Sequence, residues 1–240
     1  MHLSVVVPCF NEEGNIAGVI ESAAEIGRSV ASQLEIVVVD DGSTDGTPGV
    51  LHDLRRAVPE LTVLRHPVNR GYGAALRTGF EGVSHDTVFL TDGDGQFDLR
   101  ELPDAAAMLQ TCDVVAGYRR RRSDGQWRGL FGRAWTGLVN LALGIEVRDV
   151  NCAFKLLPRA LVQSTRLTSD GALISAEVLF EARRRGLRIR EFPVSHRPRT
   201  SGAQSGASVP VVARAFTELA TYVVRDTLAS RPGIRNDPAE

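Results

Sequence analysis

Thr87-Val88-Phe89-Leu90-Thr91 runs directly into Asp92-Gly93-Asp94-Gly95-Gln96, and this stretch decides the fold. Its first half is a short run of apolar and β-branched residues, which predicts a buried strand. Its second half places Asp92 and Asp94 at positions i and i+2 beside glycines, so both carboxylates can converge on one hard cation. Mg²⁺ and Mn²⁺ prefer oxygen ligands and are often shared with substrate phosphates, and Gln96 adds a neutral oxygen. The stretch predicts a strand that ends in a metal site.

Two other structures fit an acidic turn of this kind. A calcium loop needs a Glu at its twelfth position and a flanking pair of helices, and the sequence has neither. An ordinary Asp-Gly turn is common in proteins and remains an alternative when the stretch is considered alone.

Short apolar runs alternate with helical periods through the first half of the chain. This alternation predicts an α/β protein with a mostly parallel central sheet and helices on both faces. The predicted strands are Leu3–Pro8, Leu34–Val39, Leu61–Leu64, Thr87–Thr91 and Val114–Ala116. The predicted helices are Ile16–Ile26, one that opens at Thr47-Pro48, Gly73–Phe80 and Leu102–Leu109.

Polar clusters follow several of these strands. Ligands of such sheets bind beyond the carboxyl ends of the strands, where Asn11-Glu12, Asp40-Asp41 and Asp92–Gln96 fall. Asp40–Thr47 is rich in turn and helix-capping residues, and one of its carboxylates could also accept hydrogen bonds from a base or ribose. Asn69–Ala75 carries glycines where the backbone must approach something closely, but it does not complete GxGxxG, and no P-loop motif occurs. The position of these clusters is a signal of function.

The second half of the chain is less regular. It predicts an apolar helix, two strands with a helix between them, a loop rich in Ser and Gly, an amphipathic helix and a frayed tail. In chain order these are Leu130–Leu143, Ala153–Leu157, Ile174–Arg185, Arg188–Pro193, Arg197–Val209, Val211–Leu228 and Ser230–Glu240.

The composition excludes several classes of protein. Among 240 residues, 43% are hydrophobic and 24% are charged, which is typical of a globular protein with a core. A formal net charge of −1 argues against nucleic acid as a partner. Three widely spaced cysteines without a CxxC motif favour a reducing cytoplasm over disulfides or zinc. No apolar stretch in the sequence reaches the roughly 20 residues of a membrane span, so we expect a soluble or peripheral protein.

Four motifs occur in order at strand ends, namely Val7–Glu12, Asp40–Ser43, Asn69–Gly71 and Asp92–Gln96. Together they resemble glycosyltransferase family 2, the inverting enzymes with the GT-A fold, over about the first 200 residues. The chain is most similar to the polyprenyl-phosphate (dolichyl-phosphate) mannose and glucose synthases. That narrower resemblance rests on Gln96 after the acid pair, on Gly117-Tyr118-Arg119, and on Asp149-Val150-Asn151-Cys152-Ala153-Phe154-Lys155. The last segment matches D-x-x-C-G-F-[KR] with Ala153 in place of Gly.

The resemblance implies a role for each matching residue. The nucleobase and ribose would be held by Pro8, Phe10, Glu12, Val38 and Asp40. Asp92 and Gly93 would assist in binding the nucleotide, and Mg²⁺ or Mn²⁺ on the diphosphate would be ligated by Asp94 and Gln96 with help from Asp92. The diphosphate or the acceptor phosphate would be contacted by Arg119, Arg133 and Arg199. Glu177 is either an ordinary acid at the start of a helix or the family's general base.

The resemblance also implies the reaction and its setting. The expected reaction is inverting transfer of a sugar from a nucleotide-diphosphate sugar to a polyprenyl phosphate, in the cytoplasm at the inner face of the cell membrane with peripheral contact. Residues 1–228 would form a single GT-A domain, with 1–96 as the nucleotide-sugar-binding half, 97–228 as the acceptor half and 229–240 as a flexible tail. In the mannose synthases a Ser-Lys follows the arginine that corresponds to Arg199, and here Thr200–Gly206 lacks that lysine.

Two alternatives for the function stay open. The acceptor could be a hydroxyl of a saccharide or natural product, or the chain could be a non-catalytic nucleotide-sugar-binding subunit that supports a membrane partner. The intact acid pair, Asp92 and Asp94, argues against the second alternative.

Overall fold

A computed structural model describes residues 1–120, 126–199, 201–202 and 209–229 of the chain. The side chains of residues 126–128, 209–212 and 226–229 lie outside that description.

Seven strands within the described residues form one sheet in the order β3-β2-β1-β4-β6-β5-β7. All of its paired neighbours are parallel except those of β6, which runs antiparallel to both β4 and β5. The sheet is therefore mostly parallel, as the sequence predicts. Its strands are His2–Cys9 (β1), Gln33–Asp40 (β2), Leu61–Arg65 (β3), Thr87–Leu90 (β4), Val114–Arg119 (β5), Lys155–Pro158 (β6) and Ile189–Val194 (β7).

Helices surround this sheet and connect its parallel strands. Within the described residues they are Ile16–Val30 (α1), Thr47–Ala57 (α2), Tyr72–Gly82 (α3), Leu102–Ala107 (α4), Gln126–Leu143 (α5), Arg159–Ser164 (α6), Ile174–Arg184 (α7) and Val209–Ala229 (α8). Leu99–Glu101 and Met108–Gln110 form short 3₁₀ turns on either side of α4.

Helices cover both faces of the sheet, which explains why the strands are apolar on both sides. Gly79 of α3 lies so close to Val6 that an added Cβ would be 2.6 Å from its Cγ1. Gly27 of α1 lies similarly close to Leu34. Side chains alternate along a strand, so the side chain of Leu34 points to the opposite face of the sheet from that of Val37. Val37 itself faces Gly82 of α3. Both faces of the central strands are thus part of the core.

The structure differs from the predicted elements in the second half of the chain. Helix α4 ends at Ala107 and continues as a 3₁₀ turn, and α6 was not predicted because six residues are too few to show a helical period. One sheet combines β1–β4 from residues 1–96 with β5–β7 from residues 97–228, and the single-domain assignment stays a prediction. The predicted tail from Ser230, and most of the predicted Ser/Gly-rich loop, lie outside the described residues.

Candidate functional site

The predicted polar clusters meet at one edge of the sheet. Strands β1, β2, β4 and β5 run in the same direction, so the residues that follow their carboxyl ends lie side by side. Because β6 is antiparallel, the segment before its first residue, Lys155, reaches this same edge. The edge therefore receives residues from both predicted halves of the chain.

The acid pair after β4 is suited to a cation. Oδ1 of Asp92 is buried and has no hydrogen-bond partner among the described residues, while Oδ1 of Asp94 accepts the Gln96 backbone N–H at 3.0 Å. Burial, and next the neighbouring charge of Asp94, raise the pKa of Asp92 to about 7, although a hydrogen bond with Tyr72 acts in the opposite direction. A buried oxygen without a partner beside a second carboxylate leaves room for a cation that would compensate both charges.

Gln96 closes one side of this site. Its side-chain amide donates to the Arg197 carbonyl at 2.9 Å, and its own carbonyl accepts the Arg197 backbone N–H at 2.7 Å, which ties the acidic turn to the segment after β7. Among the described residues there is no group of three or more His, Cys, Asp or Glu side chains that could hold a metal. Two carboxylates and an amide fit a divalent ion that takes its remaining oxygens from a diphosphate and water.

The two acids at the end of β2, Asp40 and Asp41, have different hydrogen-bond partners. Asp41 is saturated, because it accepts from His66 Nδ1 at 2.6 Å and from the backbone N–H groups of Arg70 and Gly71 at 3.0 and 2.8 Å. Asp40 accepts only the Ser43 N–H at 2.8 Å through Oδ1, and Oδ2 lies 3.2 Å from Arg65 without an aligned hydrogen bond. Asp41 therefore shapes the loop before α3, whereas Oδ2 of Asp40 is buried beside the Arg65 guanidinium without an aligned hydrogen bond.

The residues after β1 form the neighbouring part of the edge. Phe10 is 37% exposed and offers a ring face at the end of the strand. Asn11 adopts a positive φ of 55° and accepts the Thr44 N–H at 2.8 Å, which joins this loop to the one after β2. Glu12 accepts a hydrogen bond from Asn15 at 2.7 Å. The exposed ring of Phe10 therefore lies next to the end of β2, where Asp40 pairs with Cys9, and its contact with a nucleobase stays a prediction.

Three predicted nucleotide contacts lie below the surface of this edge. The side chain of Val38 is 0% exposed and belongs to the core, and the role of Val38 in holding the nucleobase stays a prediction. The physical reason for this burial is that helices cover both faces of the sheet, so consecutive residues at the end of β2 are all buried. Pro8 and Gly93 are also buried, and a Cβ on Gly93 would approach the Pro8 carbonyl oxygen to 3.2 Å. These two residues support the site from beneath.

Arg199 comes to the edge from the far end of the chain. Its guanidinium forms an ion pair with Glu12 and lies 4.0 Å from Asp94. Its Nε donates to the Ser201 carbonyl at 2.6 Å. Burial raises the pKa of Glu12, and the hydrogen bond from Asn15 and the charge of Arg199 lower it. Arg199 thus links the loop after β1 to the acidic turn after β4, and its phosphate contact stays a prediction.

Arg119 is fixed by a partner that the sequence analysis did not assign. Its Nε and Nη2 donate to the two carboxylate oxygens of Asp149 at 2.6 and 2.8 Å, and both side chains are largely buried. Two parallel hydrogen bonds of this kind hold a guanidinium in one plane. The signal was present, because Asp149 opens the quoted Asp149–Lys155 motif.

Arg133 is a predicted phosphate ligand that the structure leaves untested. Arg133 lies exposed on α5 and forms no hydrogen bond or ion pair with any described residue. Its predicted phosphate contact stays a prediction that the arrangement of Arg119 and Arg199 does not need.

Glu177 is buried away from solvent at the start of α7. It is 1% exposed, and its carboxylate accepts the backbone N–H groups of Thr168 and Ser169 at 2.8 and 3.1 Å. The hydroxyls of the same two residues donate to it at 3.1 and 2.5 Å. Three of these donors bind Oε1 and one binds Oε2, so in this arrangement the buried carboxylate of Glu177 holds the loop before α7.

The comparisons with known proteins agree with this geometry. The model of the family described as Glycosyl transferase family 2 matches residues 4–165. Glycosyltransferase AglD of Haloferax volcanii is 30% identical over 83% of this chain and 34% of its own length. Dodecaprenyl-phosphate galacturonate synthase of Rhizobium johnstonii is 28% identical over 97% of this chain and 70% of its own length. The chain thus spans about a third of the first relative and more than two thirds of the second.

A solved structure matches the fold. Glucosyl-3-phosphoglycerate synthase from Mycobacterium tuberculosis, in complex with Mn²⁺ and UDP-glucose, superposes with a TM-score of 0.69 at 24% identity, over 93% of this chain and 78% of that one. The strand ends, the acid pair and the matched family model lead to one assignment. This chain belongs to glycosyl transferase family 2 and has the GT-A fold.

Proposed function

We propose that this protein is an inverting hexosyltransferase that moves a sugar from a nucleotide-diphosphate sugar to a polyprenyl phosphate. The observation that carries the proposal is the meeting of the acid pair, Asp92 and Asp94, with Arg199 at the carboxyl edge of the sheet. A donor diphosphate needs a bound cation and a fixed positive charge. This edge of the sheet offers carboxylate ligands for the cation, and the Arg199 guanidinium supplies the fixed charge.

The donor would lie across the edge with its base near β2. The Asp40 oxygen that lacks an aligned donor would accept a hydrogen bond from the base or ribose, and Phe10 would lie against the base. Asp94 and Gln96, with Asp92, would hold Mg²⁺ or Mn²⁺ on the diphosphate. When bound, that ion would neutralise charge on the leaving group.

Arg119 and Arg199 would complete the charge balance. In a single in-line displacement at the anomeric carbon, negative charge grows on the nucleotide diphosphate as it leaves. A guanidinium that is already oriented stabilises this charge without having to reorganise. Asp149 orients Arg119, and the neighbouring acids hold Arg199 close to the predicted metal site.

The class of acceptor determines whether the enzyme needs a general base. A hydroxyl acceptor loses a proton during attack and needs a positioned general base, whereas a phosphate monoester is mostly ionised at neutral pH. The predicted base, Glu177, is 1% exposed and accepts four hydrogen bonds from Thr168 and Ser169, which supports the phosphate. The Rhizobium relative is named for a dodecaprenyl phosphate, which supports the same class of acceptor.

The donor can be identified by thermal shift. We expect one sugar nucleotide, among GDP, UDP and dTDP sugars, to raise the unfolding temperature only when Mn²⁺ or Mg²⁺ is present. A hundredfold excess over Kd stabilises the folded state by about 2.7 kcal/mol, or roughly 5 to 10 °C for a chain of this size. The same donor should then yield a sugar-linked polyprenyl phosphate by mass spectrometry. Binding without either transfer or hydrolysis would favour the non-catalytic subunit instead.

Membrane contact is part of the proposal, because the acceptor is a lipid. No helix in the described part of the chain is long and apolar enough to cross a bilayer. Helix α8 packs on its own domain through Ala215 and Leu219, while Phe216 is 44% exposed and contacts Trp135 of α5 ring to ring at 5.3 Å. The two neighbouring helices expose further large apolar side chains, namely Leu130, Phe131, Leu138 and Leu141 of α5 and Val224 of α8.

These exposed side chains predict weak, salt-sensitive binding to anionic vesicles. Phe216→Asp and Leu141→Asp should each reduce the fraction of protein that co-sediments with the vesicles at low salt. Each variant replaces an apolar side chain that would enter the membrane by a negative charge that the anionic headgroups repel. Leu141 is 85% exposed, so its replacement leaves the core unchanged. Thr221→Asp adds the same charge at an exposed polar position of α8 and should have a smaller effect. Equal co-sedimentation of wild type and both variants would contradict membrane contact through this face.

A further inference from the structure

Lys155 occupies a central place between the two catalytic strand ends. It is the only lysine in the chain and is 1% exposed. As the first residue of β6, it pairs with Leu90 of β4 on one side and Ala116 of β5 on the other. It therefore lies between the strand that leads to the acid pair and the strand that ends in Arg119.

The ammonium group of Lys155 binds backbone and not a substrate. Nζ donates to the Val150 carbonyl at 3.0 Å and to the Cys152 carbonyl. Burial of an ammonium is unfavourable, and an apolar side chain of the same length would fill this space without that penalty. The presence of a lysine here points to the two carbonyls as its purpose.

Those carbonyls belong to the turn that presents Asp149. The Cys152 N–H donates to the Asp149 carbonyl at 3.2 Å and closes the turn. Asp149 in turn holds Arg119 through two hydrogen bonds. Gly117 fixes the same strand end, because its N–H donates to the Phe154 carbonyl at 2.8 Å and a Cβ would approach that oxygen to 2.6 Å. Lys155 is thus connected to Arg119 through one short turn.

We propose that Lys155 is a positioning residue for Arg119. It fixes the Asp149–Cys152 turn from within the core, so that Asp149 keeps the guanidinium of Arg119 in the orientation that a phosphate group needs. The inference rests on the proposed function, because that function gives Arg119 its phosphate.

The first test observes the Arg119 guanidinium directly, without activity. In ¹H–¹⁵N spectra of the full chain, the Nε–H of Arg119, assigned by its disappearance in Arg119→Lys, should be sharp and slow to exchange with water. Lys155→Met should broaden this signal or speed its exchange by about tenfold or more. Arg188→Met is the control. Arg188 donates two hydrogen bonds to Asp113 at the other end of β5, so its replacement should leave the Arg119 signal unchanged.

The second test measures turnover in a double-mutant cycle. Lys155→Met should lower kcat about tenfold to a hundredfold, and Asp149→Asn should lower it at least as much. The double variant should be no slower than Asp149→Asn alone, because both changes act through Arg119. Lys155→Gln, which retains a donor for one carbonyl, should restore part of the loss. A purely structural lysine would instead give multiplicative effects.

Each outcome decides between the proposals. An unchanged Arg119 signal in Lys155→Met overturns the positioning role, whatever the activity. The same holds if neither Lys155→Met nor Lys155→Gln folds, because the proposal assigns Lys155 to the site and not to the stability of the core. A wild-type protein without transfer activity, but with an Arg119 signal that responds to Lys155→Met, overturns only the proposed function.

Discussion

Asp94→Asn is expected to lower sugar transfer by about a hundredfold or more while leaving the fold intact. Asparagine retains the oxygen that accepts the Gln96 N–H, so the turn after β4 keeps its hydrogen bond. It loses the negative charge that a divalent cation needs and that faces Arg199 at 4.0 Å. The unfolding temperature should stay close to that of the wild type, because Asp94 lies at the edge of the sheet and contributes no apolar packing. Turnover with saturating donor, measured together with thermal unfolding, checks both expectations.

The control for this variant is Asp86→Asn. Asp86 precedes β4 at its opposite end, is 80% exposed and pairs with Arg159, so its replacement should leave turnover unchanged. A chelator added to the wild-type protein should reproduce the loss seen with Asp94→Asn, and Mn²⁺ or Mg²⁺ should restore it. Full activity of Asp94→Asn in excess chelator would contradict the metal assignment.

The parallel part of the fold could be predicted from the sequence because its signals are local. Each buried strand is a short apolar run, and each is followed by turn residues that can be identified without knowing where the other strands lie. The place of the site could be predicted for the same reason, since parallel strands bring Asp40 and Asp92 to the same edge of the sheet.

The direction of β6 could not be predicted in the same way. An apolar run of four residues has the same composition whether the strand runs up or down, and its direction depends on the path of the chain between β5 and β6. Only the antiparallel direction brings Asp149 to Arg119 and places Lys155 between the strand that leads to Asp92 and the strand that ends in Arg119. The pairing of Arg119 with Asp149 therefore depends on the strand order and direction in the sheet, which the sequence does not show.

Two predicted site residues are buried in a way that the sequence does not show. Val38 was assigned to the nucleobase by its place in a motif, but its side chain is in the core because α1 and α3 cover opposite faces of the sheet. Glu177 is predicted either as an acid at the start of a helix or as a general base, and the structure places it in the first turn of α7 but buried, so the role of a base stays a prediction. A sequence does not show which backbone N–H groups will surround a carboxylate, and here those of Thr168 and Ser169 do.

The largest contrast is expected between Glu177→Gln and Arg199→Ala. If the acceptor is a lipid phosphate, Glu177→Gln should leave kcat within a fewfold of wild type. Its amide group cannot accept from all four donors, so the variant should instead lose about 1 to 3 kcal/mol of stability and bind the acceptor less tightly. Arg199→Ala should lower turnover by about a hundredfold or more, because it removes the guanidinium beside Asp94. Arg188→Ala, at an exposed arginine remote from this edge, serves as the control.

The opposite order would identify a hydroxyl acceptor. A general base that takes the hydroxyl proton contributes about a hundredfold or more to turnover, so Glu177→Gln would then be nearly inactive even where it remains folded. That result would also require the loop at Thr168 and Ser169 to expose the carboxylate when substrate binds, since Glu177 is 1% exposed while it accepts their four hydrogen bonds. Turnover of both variants, measured with the true donor and with each class of acceptor, separates the two mechanisms. A nearly inactive Glu177→Gln beside a fully active Arg199→Ala would overturn the choice of a phosphate.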